Sequence, residues 1–229
     1  MHERLLIQIY TMQSAAEAAA VAELGVDHVG VTPRSGHGLP GEVPTEVAAE
    51  ICAALVGRAR SVALTVDSDL DQIEAMAHVV GPDIVHLCGP PGLVGPDAIA
   101  SLRRRLPHQQ IMQAIAVNGL DALAVARSYE DVVDYLLLDS DAPGITGIGA
   151  AGVVHDWNVS AAIVDATDLP VILAGGLSPV NVADAMRVVR PQGVDSLTHT
   201  NLMLPGGGFR KNLNAVEEFV SAARGAMAT

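Results

Sequence analysis

The stretch Leu169–Val182, LPVILAGGLSPVNV, decides how this chain is read. Its opening residues, Pro170–Ala174, form a short apolar run with β-branched side chains, the pattern of a buried strand. Gly175 and Gly176 follow at once and let the backbone turn tightly and come close to a ligand. A helix start is expected next, with Ser178 as N-cap, Pro179 at the first helical position and Asn181 in the first turn. A strand that runs through glycines into a helix N-terminus presents bare N–H groups and the positive end of a dipole, which suit an anion. Such turns also serve plain βα connections, so phosphate binding and an ordinary backbone turn both stay open here.

The same alternation repeats along the whole chain. Strands are expected at Leu5–Tyr10, Asp27–Thr32, Ser61–Val66, Asp83–Cys88, Gln110–Val117, Val132–Asp139, Pro170–Ala174 and Gly193–Leu197. Helices are expected at Ser14–Leu24, at Thr45–Val56, from Ser68 or Asp69 to Val79, and up to Arg105. Further helices are read at Leu120–Ser128, near Trp157–Thr167, after Gly176, and at Asn214–Ala226. Eight βα units with short connections demand a parallel sheet covered by helices. A chain of 229 residues lies at the lower end of the usual (β/α)8 size, and no G-x-G-x-x-G follows the first strand as in a dinucleotide fold. The expected fold is therefore α/β, a (β/α)8 TIM barrel forming a single domain over residues 1–229.

Composition narrows the partners. At 50% hydrophobic the chain can bury a large core. A net charge of −13 and a pI near 4.8 argue against nucleic acid or an anionic membrane, and 3% aromatic residues leave little for base stacking. No apolar run approaches the roughly 18 residues of a membrane span. Cys52 sits in an apolar helical pattern and Cys88 at a strand end, with no framework of paired cysteines. No leader is read at MHERLLIQIYT, so a reducing cytoplasm is expected. The apolar composition would also suit the interface of a homodimer. Arg103–Arg105 reads as a solvated helix end that favours the dipole.

In such barrels chemistry sits at the C-terminal ends of the strands. Those positions hold Gln8, Tyr10, Thr32 with Arg34 and His37, Asp67, His86, Cys88, Gln113, Asp139, Gly175–Gly176 and Thr198–His199. Asp139 ends an otherwise apolar strand, where desolvation would raise its pKa and suit it to general acid work; the plainer role is to cap the next loop. His86 and Cys88 alternate along one strand, so both face the mouth if either does. With His37 and His199 opposite, a metal is conceivable, but H-x-C without a further close ligand is a weak zinc pattern and no metal site is expected. Lys211, the only lysine, reads as the start of the last helix, away from the axis. A Schiff-base aldolase would want its lysine on a strand.

The run LPVILAGGLSPVNVADAMRVVRPQGVD, Leu169–Asp195, resembles the seventh and eighth units of phosphoribosylanthranilate isomerase, the barrel enzyme of tryptophan biosynthesis. That family reads ILAGGL-x-P-x-N-V with a VRP-x-x-VD continuation. YLLLDS is similar to its LLD(S/T) strand, and GAAGVVHDW to its GG(S/T)G-x-x-FDW. HLCG and IQIYT are more weakly similar to QLHG and KICGIT.

The resemblance implies an Amadori rearrangement of N-(5-phosphoribosyl)anthranilate, a phosphorylated small molecule, without metal or organic cofactor. The family's acid, an aspartate that protonates the ribose ring oxygen, maps onto Asp139. Its base, a cysteine that removes the C2′ proton, falls on Tyr10. Its phosphate site maps onto Gly175, Gly176 and a Ser-Gly pair that here reads Thr198–His199. The glutamate soon after becomes Asn201, the histidine of QLHG becomes Cys88, and the Lys-Asp of the last unit reads Lys211–Asn212. The arginine that reads the substrate carboxylate has no clean counterpart; Arg34 is near and His37 nearer its place.

A phenol with an unperturbed pKa near 10 is a poor base unless strongly activated, which leaves Cys88 or His37 to take the role. Histidine for glycine adds bulk at the phosphate, although a protonated imidazole can itself bind phosphate. Three readings follow: an isomerase of this family with a rearranged base, a divergent paralogue acting on a different sugar phosphate or small metabolite, and a non-catalytic barrel used for binding or assembly.

Overall fold

A computed structural model describes residues 5–140, 146–149 and 152–227. Residues 141–145, 150 and 151, the last two within the GAAGVVHDW motif, lie outside the described residues, as do both chain ends. Eight parallel strands close into a barrel in chain order: β1 (Leu6–Ile9), β2 (His28–Val31), β3 (Arg60–Thr65), β4 (Ile84–Leu87), β5 (Gln110–Ala116), β6 (Tyr135–Asp139), β7 (Val171–Leu173) and β8 (Gly193–Ser196). The closure pairs Leu6–Ile9 with Gly193–Ser196 in register. The outer ring is α1 (Ala15–Glu23), α2 (Thr45–Leu55), α3 (Leu70–Val80), α4 (Pro96–Arg105), α5 (Asp121–Ser128), α6 (Trp157–Ala166), α7 (Val182–Val189) and α8 (Leu213–Ala226).

Period-two alternation explains why the strands read as nearly unbroken apolar runs. Both faces of the sheet are covered, one by helices and the other by the far side of the barrel. On β6, Leu136 and Leu138 pack into the layer beneath the helices while Leu137 packs inside the barrel with Val62, Ile84, Met112 and Ile172. On β1, Ile7 and Ile9 join the outer layer, which leaves Gln8 and Tyr10 for the interior. Gly30 makes room for Tyr10: a Cβ there would collide with one edge of the phenol ring.

At the N-terminal end of the barrel one device recurs. The amide of Ile7 donates to Asp27 (3.0 Å), that of Ser61 to Asp83 (2.8 Å), and that of Ile111 to Asp134 (2.8 Å). Val171 donates to Gln192 (2.9 Å) in the fourth repeat. Each acceptor stands just before an even-numbered strand and ties it to the odd strand that precedes it. These groups satisfy strand-end donors that the ladder leaves unpaired.

Two expectations are corrected. Ser178 does not cap α7. The Asn181 carboxamide accepts from the Ser178 amide (2.7 Å) and donates to the Gly176 carbonyl (3.1 Å), folding 178–181 into a turn, and the helix starts only at Val182 with Asn181 before it. Nor does Lys211 open the last helix. After β8 the chain makes a 3-10 turn at Thr198–Thr200 and an antiparallel hairpin of β9 (Asn201–Met203) and β10 (Phe209–Lys211). Lys211, 2% exposed, turns inward from β10. Its ammonium donates to the carbonyls of Tyr10 and Leu197 (3.2 Å to the latter), to Thr200 Oγ1 (3.3 Å) and to Asn201 Oδ1 (2.5 Å). A buried amine, which burial lowers to about 7 against the charges of Asp195 and Glu17, thus ties together the ends of the first and last barrel strands. Helix α8 is capped instead by Asn212. Arg103, read as solvated, makes a two-pronged bond to Asp134 (2.8 Å for each prong).

Candidate active site

Two adjoining hollows open at the C-terminal ends of the strands. The larger, about 600 Å³, is walled by Tyr10, Thr32, His86, Cys88, Asp139 and Asp195, with Leu39, Leu64, Val66, Leu137 and Ile148 as its apolar lining. The smaller, about 280 Å³, lies between Gly175–Gly176 and Thr198–His199. Asp139, Asp195 and Leu197 border both. The structure therefore brings Tyr10 and Cys88 to the larger hollow, Gly175, Gly176, Thr198 and His199 to the smaller one, and Asp139 to the border of both.

Tyr10, His86 and Cys88 form a buried chain. The Tyr10 hydroxyl lies 2.9 Å from His86 Nδ1, and His86 Nε2 lies 3.2 Å from Cys88 Sγ. Burial lowers the imidazole to about 3, so it is neutral at physiological pH. Burial, with the charges of neighbouring acids, pushes the Tyr10 phenol and the Cys88 thiol well above their ordinary ranges. Asp139 accepts the Ser140 amide at 2.6 Å, yet burial lifts its carboxyl to about 7. Asp195 is raised to about 8 by burial and by the charge of Asp139, against a hydrogen bond from Gln8 and the nearby charge of Lys211. Two carboxyls at one hollow cannot both ionise cheaply, so they titrate as a pair.

The phosphate side rests on backbone. Gly176 sits at φ +63°, and a Cβ there would lie 2.8 Å from the Val153 carbonyl carbon. Behind Gly175 packs His155, whose Nε2 lies 2.8 Å from Ser160 Oγ; burial lowers this ring to about 4.

Other candidates lie elsewhere. Arg34 and His37 are on the loop after β2 and line neither hollow; His37 Nε2 sits 2.9 Å from Asp67 at an outer rim. Gln113 is turned out of the barrel, because Met112 and Ala114 take the inward positions of β5, and it bonds the carbonyl of Ala114 (2.8 Å). Gln8 lies deeper inside, against His28 (3.2 Å) and Met112. Among the described residues no three of His, Cys, Asp and Glu gather as a metal-holding group. Sequence reasoning missed Asp195. The one signal in the sequence was its place at the end of the VRP-x-x-VD run; that it faces the barrel interior follows only from its register with Gln8.

Comparison with known proteins agrees with this geometry. A family model described as N-(5′phosphoribosyl)anthranilate (PRA) isomerase matches residues 7–197. An N-(5′-phosphoribosyl)anthranilate isomerase of Haloferax volcanii is 34% identical over 218 residues, covering 95% of this chain and 92% of that protein. One from Rhodopseudomonas palustris is 35% identical over 219 residues, covering 95% of each. Among solved structures, a phosphoribosyl anthranilate isomerase in complex with reduced 1-(o-carboxyphenylamino)-1-deoxyribulose 5-phosphate shares the fold, with a TM-score of 0.74 at 24% identity over 96% of this chain and 99% of that one. The closed barrel, the family model matched over residues 7–197 and relatives covered over nine-tenths of their length together place the chain in the N-(5′-phosphoribosyl)anthranilate isomerase family.

Proposed function

We propose that the chain isomerises N-(5′-phosphoribosyl)anthranilate, an aldose–ketose rearrangement of the Amadori type in tryptophan biosynthesis, with Asp139 as general acid. The observation that carries this reading is the position of Asp139. Its carboxyl, lifted to about 7, stands on the wall common to both hollows, so a sugar anchored by phosphate in the smaller one meets an acid still partly protonated at neutral pH. Gly175 and Gly176 offer backbone to the phosphate, and Thr198 and His199 face them. Tyr10, His86 and Cys88 wall the sugar side, and the apolar lining of the larger hollow suits an aryl ring. Arg34 and His37, on the loop after β2, are the groups we assign to a substrate carboxylate. The scheme consists of proton transfers and calls on no cofactor. Exposed apolar residues on the hairpin, Met203 (69% exposed) with Leu202 and Leu204, are the surface on which we place a homodimer. Among the described residues no helix is long and apolar enough to cross a membrane.

A different sugar phosphate is the second reading, favoured by one observation: neither Arg34 nor His37 reaches the hollow where an aryl carboxylate would sit. One experiment separates the two. Purified protein is assayed with phosphoribosylanthranilate, and its gene is expressed in a tryptophan auxotroph lacking the isomerase. Turnover and rescue are the expected results; soluble protein that gives neither removes the first reading.

A further inference from the structure

We propose that Asp195 is the general base that takes the C2′ proton, so that a pair of carboxyls on β6 and β8 does the work. This rests on the isomerase reading. Asp195 is 7% exposed, and its Oδ1 is buried with no hydrogen-bond partner among the described residues. It borders both hollows, so it stands beside a sugar whose phosphate lies in the smaller one. On the sheet it pairs with Gln8, two residues before Tyr10, the position at which the family resemblance puts a base.

The other basic candidates on the wall are committed to one another: the Tyr10 hydroxyl to His86, and His86 to Cys88. Burial makes Tyr10 and Cys88 harder to ionise and His86 harder to protonate. The charged and titratable groups facing Asp195 are Tyr10 from β1, Cys88 from β4, Asp139 from β6 and Lys211 from β10, with Glu17 of α1 near Lys211 in turn. Of these only Lys211 favours a carboxylate at Asp195; burial raises both carboxyls, to about 8 and about 7, so they hold their protons as a pair and either oxygen set can carry the last one. One proton on two carboxyls is the resting state that paired acid and base chemistry needs.

The step balances. Asp139 gives its proton to the ring oxygen as the C1′–O bond breaks, and the nitrogen lone pair forms the C=N bond. Asp195 takes the C2′ proton, and that C–H pair forms the C1′=C2′ bond as the iminium electrons return to nitrogen. The enol O–H proton then passes to Asp139 while protonated Asp195 delivers its proton to C1′, which yields the aminoketose and restores both groups.

The test compares Asp195→Asn with Asp139→Asn, Cys88→Ala and Tyr10→Phe. We expect Asp195→Asn to cut kcat by about 10² or more with KM within about threefold, and to remove the low-pH limb of the kcat/KM profile. Cys88→Ala and Tyr10→Phe should cost less than Asp195→Asn. An Asp195→Asn enzyme within tenfold of the parent, or a larger loss in Cys88→Ala, overturns the assignment. A second measurement needs no substrate: carboxyl titration by NMR of ¹³C-aspartate protein. Asp139→Asn should lower the titration midpoint of Asp195, and an unmoved midpoint overturns the pair. Parent protein inactive on phosphoribosylanthranilate would instead remove the isomerase reading, an outcome distinct from a failed titration.

Discussion

At the N-terminal end of the barrel, Asp27, Asp83 and Asp134 each accept a backbone amide from the strand before them, and Gln192 repeats the arrangement. At the mouth, Asp139 and Asp195 border open hollows, and burial raises both carboxyls. The residue type is the same and the surroundings are opposite. One set repeats because each strand pair presents the same unpaired donor; the other does not repeat, because a substrate has no barrel symmetry. The difference teaches that an aspartate just before an even strand holds this fold together, whereas one at the far end of a strand is available for chemistry.

That contrast can be broken or sharpened by measurement. The largest expected effect is Asp139→Asn, which should lower kcat by about 10² or more, with circular dichroism and melting showing an intact fold. Undiminished turnover would erase the distinction between the two ends. Next comes Asp134→Ala, which strands the Ile111 amide and the Arg103 guanidinium. It should cost about 2 kcal/mol in urea unfolding while kcat/KM stays at the parent value; lost activity in the folded variant would tie the lower end to catalysis. Gly176→Ala tests the backbone half of the mouth. Its forced left-handed residue and its contact with Val153 should raise KM by about tenfold, roughly 1.4 kcal/mol, at nearly constant kcat.

The pH dependence of stability gives a subtler test. The folded value of Asp139, about 7, lies above its ordinary 3.8, so the native state holds that proton more tightly than the unfolded chain. The resulting stability is fully present below the unfolded value and is lost as pH rises through about 7. Asp139→Asn should therefore gain melting temperature relative to the parent on going from pH 5 to pH 9; an unchanged difference would show the carboxyl to be unstrained. The smallest effect is Arg58→Ala. Its partner Glu23 is 70% exposed, and removing the pair should cost less than about 0.5 kcal/mol, a baseline against which the Asp134 clamp is judged.

The barrel was fully legible in the sequence, because eight apolar runs separated by helix-period segments admit few closures. Asp139 was legible for a local reason, a carboxylate ending the run Tyr135–Leu138. The glycine turn was too, though the start of its helix was not, since Asn181 competes for the turn's own backbone groups and delays α7. Asp195 was hidden by its neighbours: GVDS carries no contrast until β8 is set beside β1 and its alternation is counted. The link between Tyr10 and His86 spans 76 positions, and no local pattern encodes it. Arg34 and His37 stand on a loop whose course is set by contacts such as Ser35 with Glu42, which spacing does not reveal.

Lys211 is the chain's only lysine, and its amine is shut away beneath the hairpin at the seam between the first and last strands. Every ε-amino label taken up by this protein therefore reports one event, the lifting of that hairpin from the seam. An acylating pulse followed by mass spectrometry of the peptide around Phe209–Asn212 would time the opening of the barrel at its point of closure, with no probe engineered into the chain.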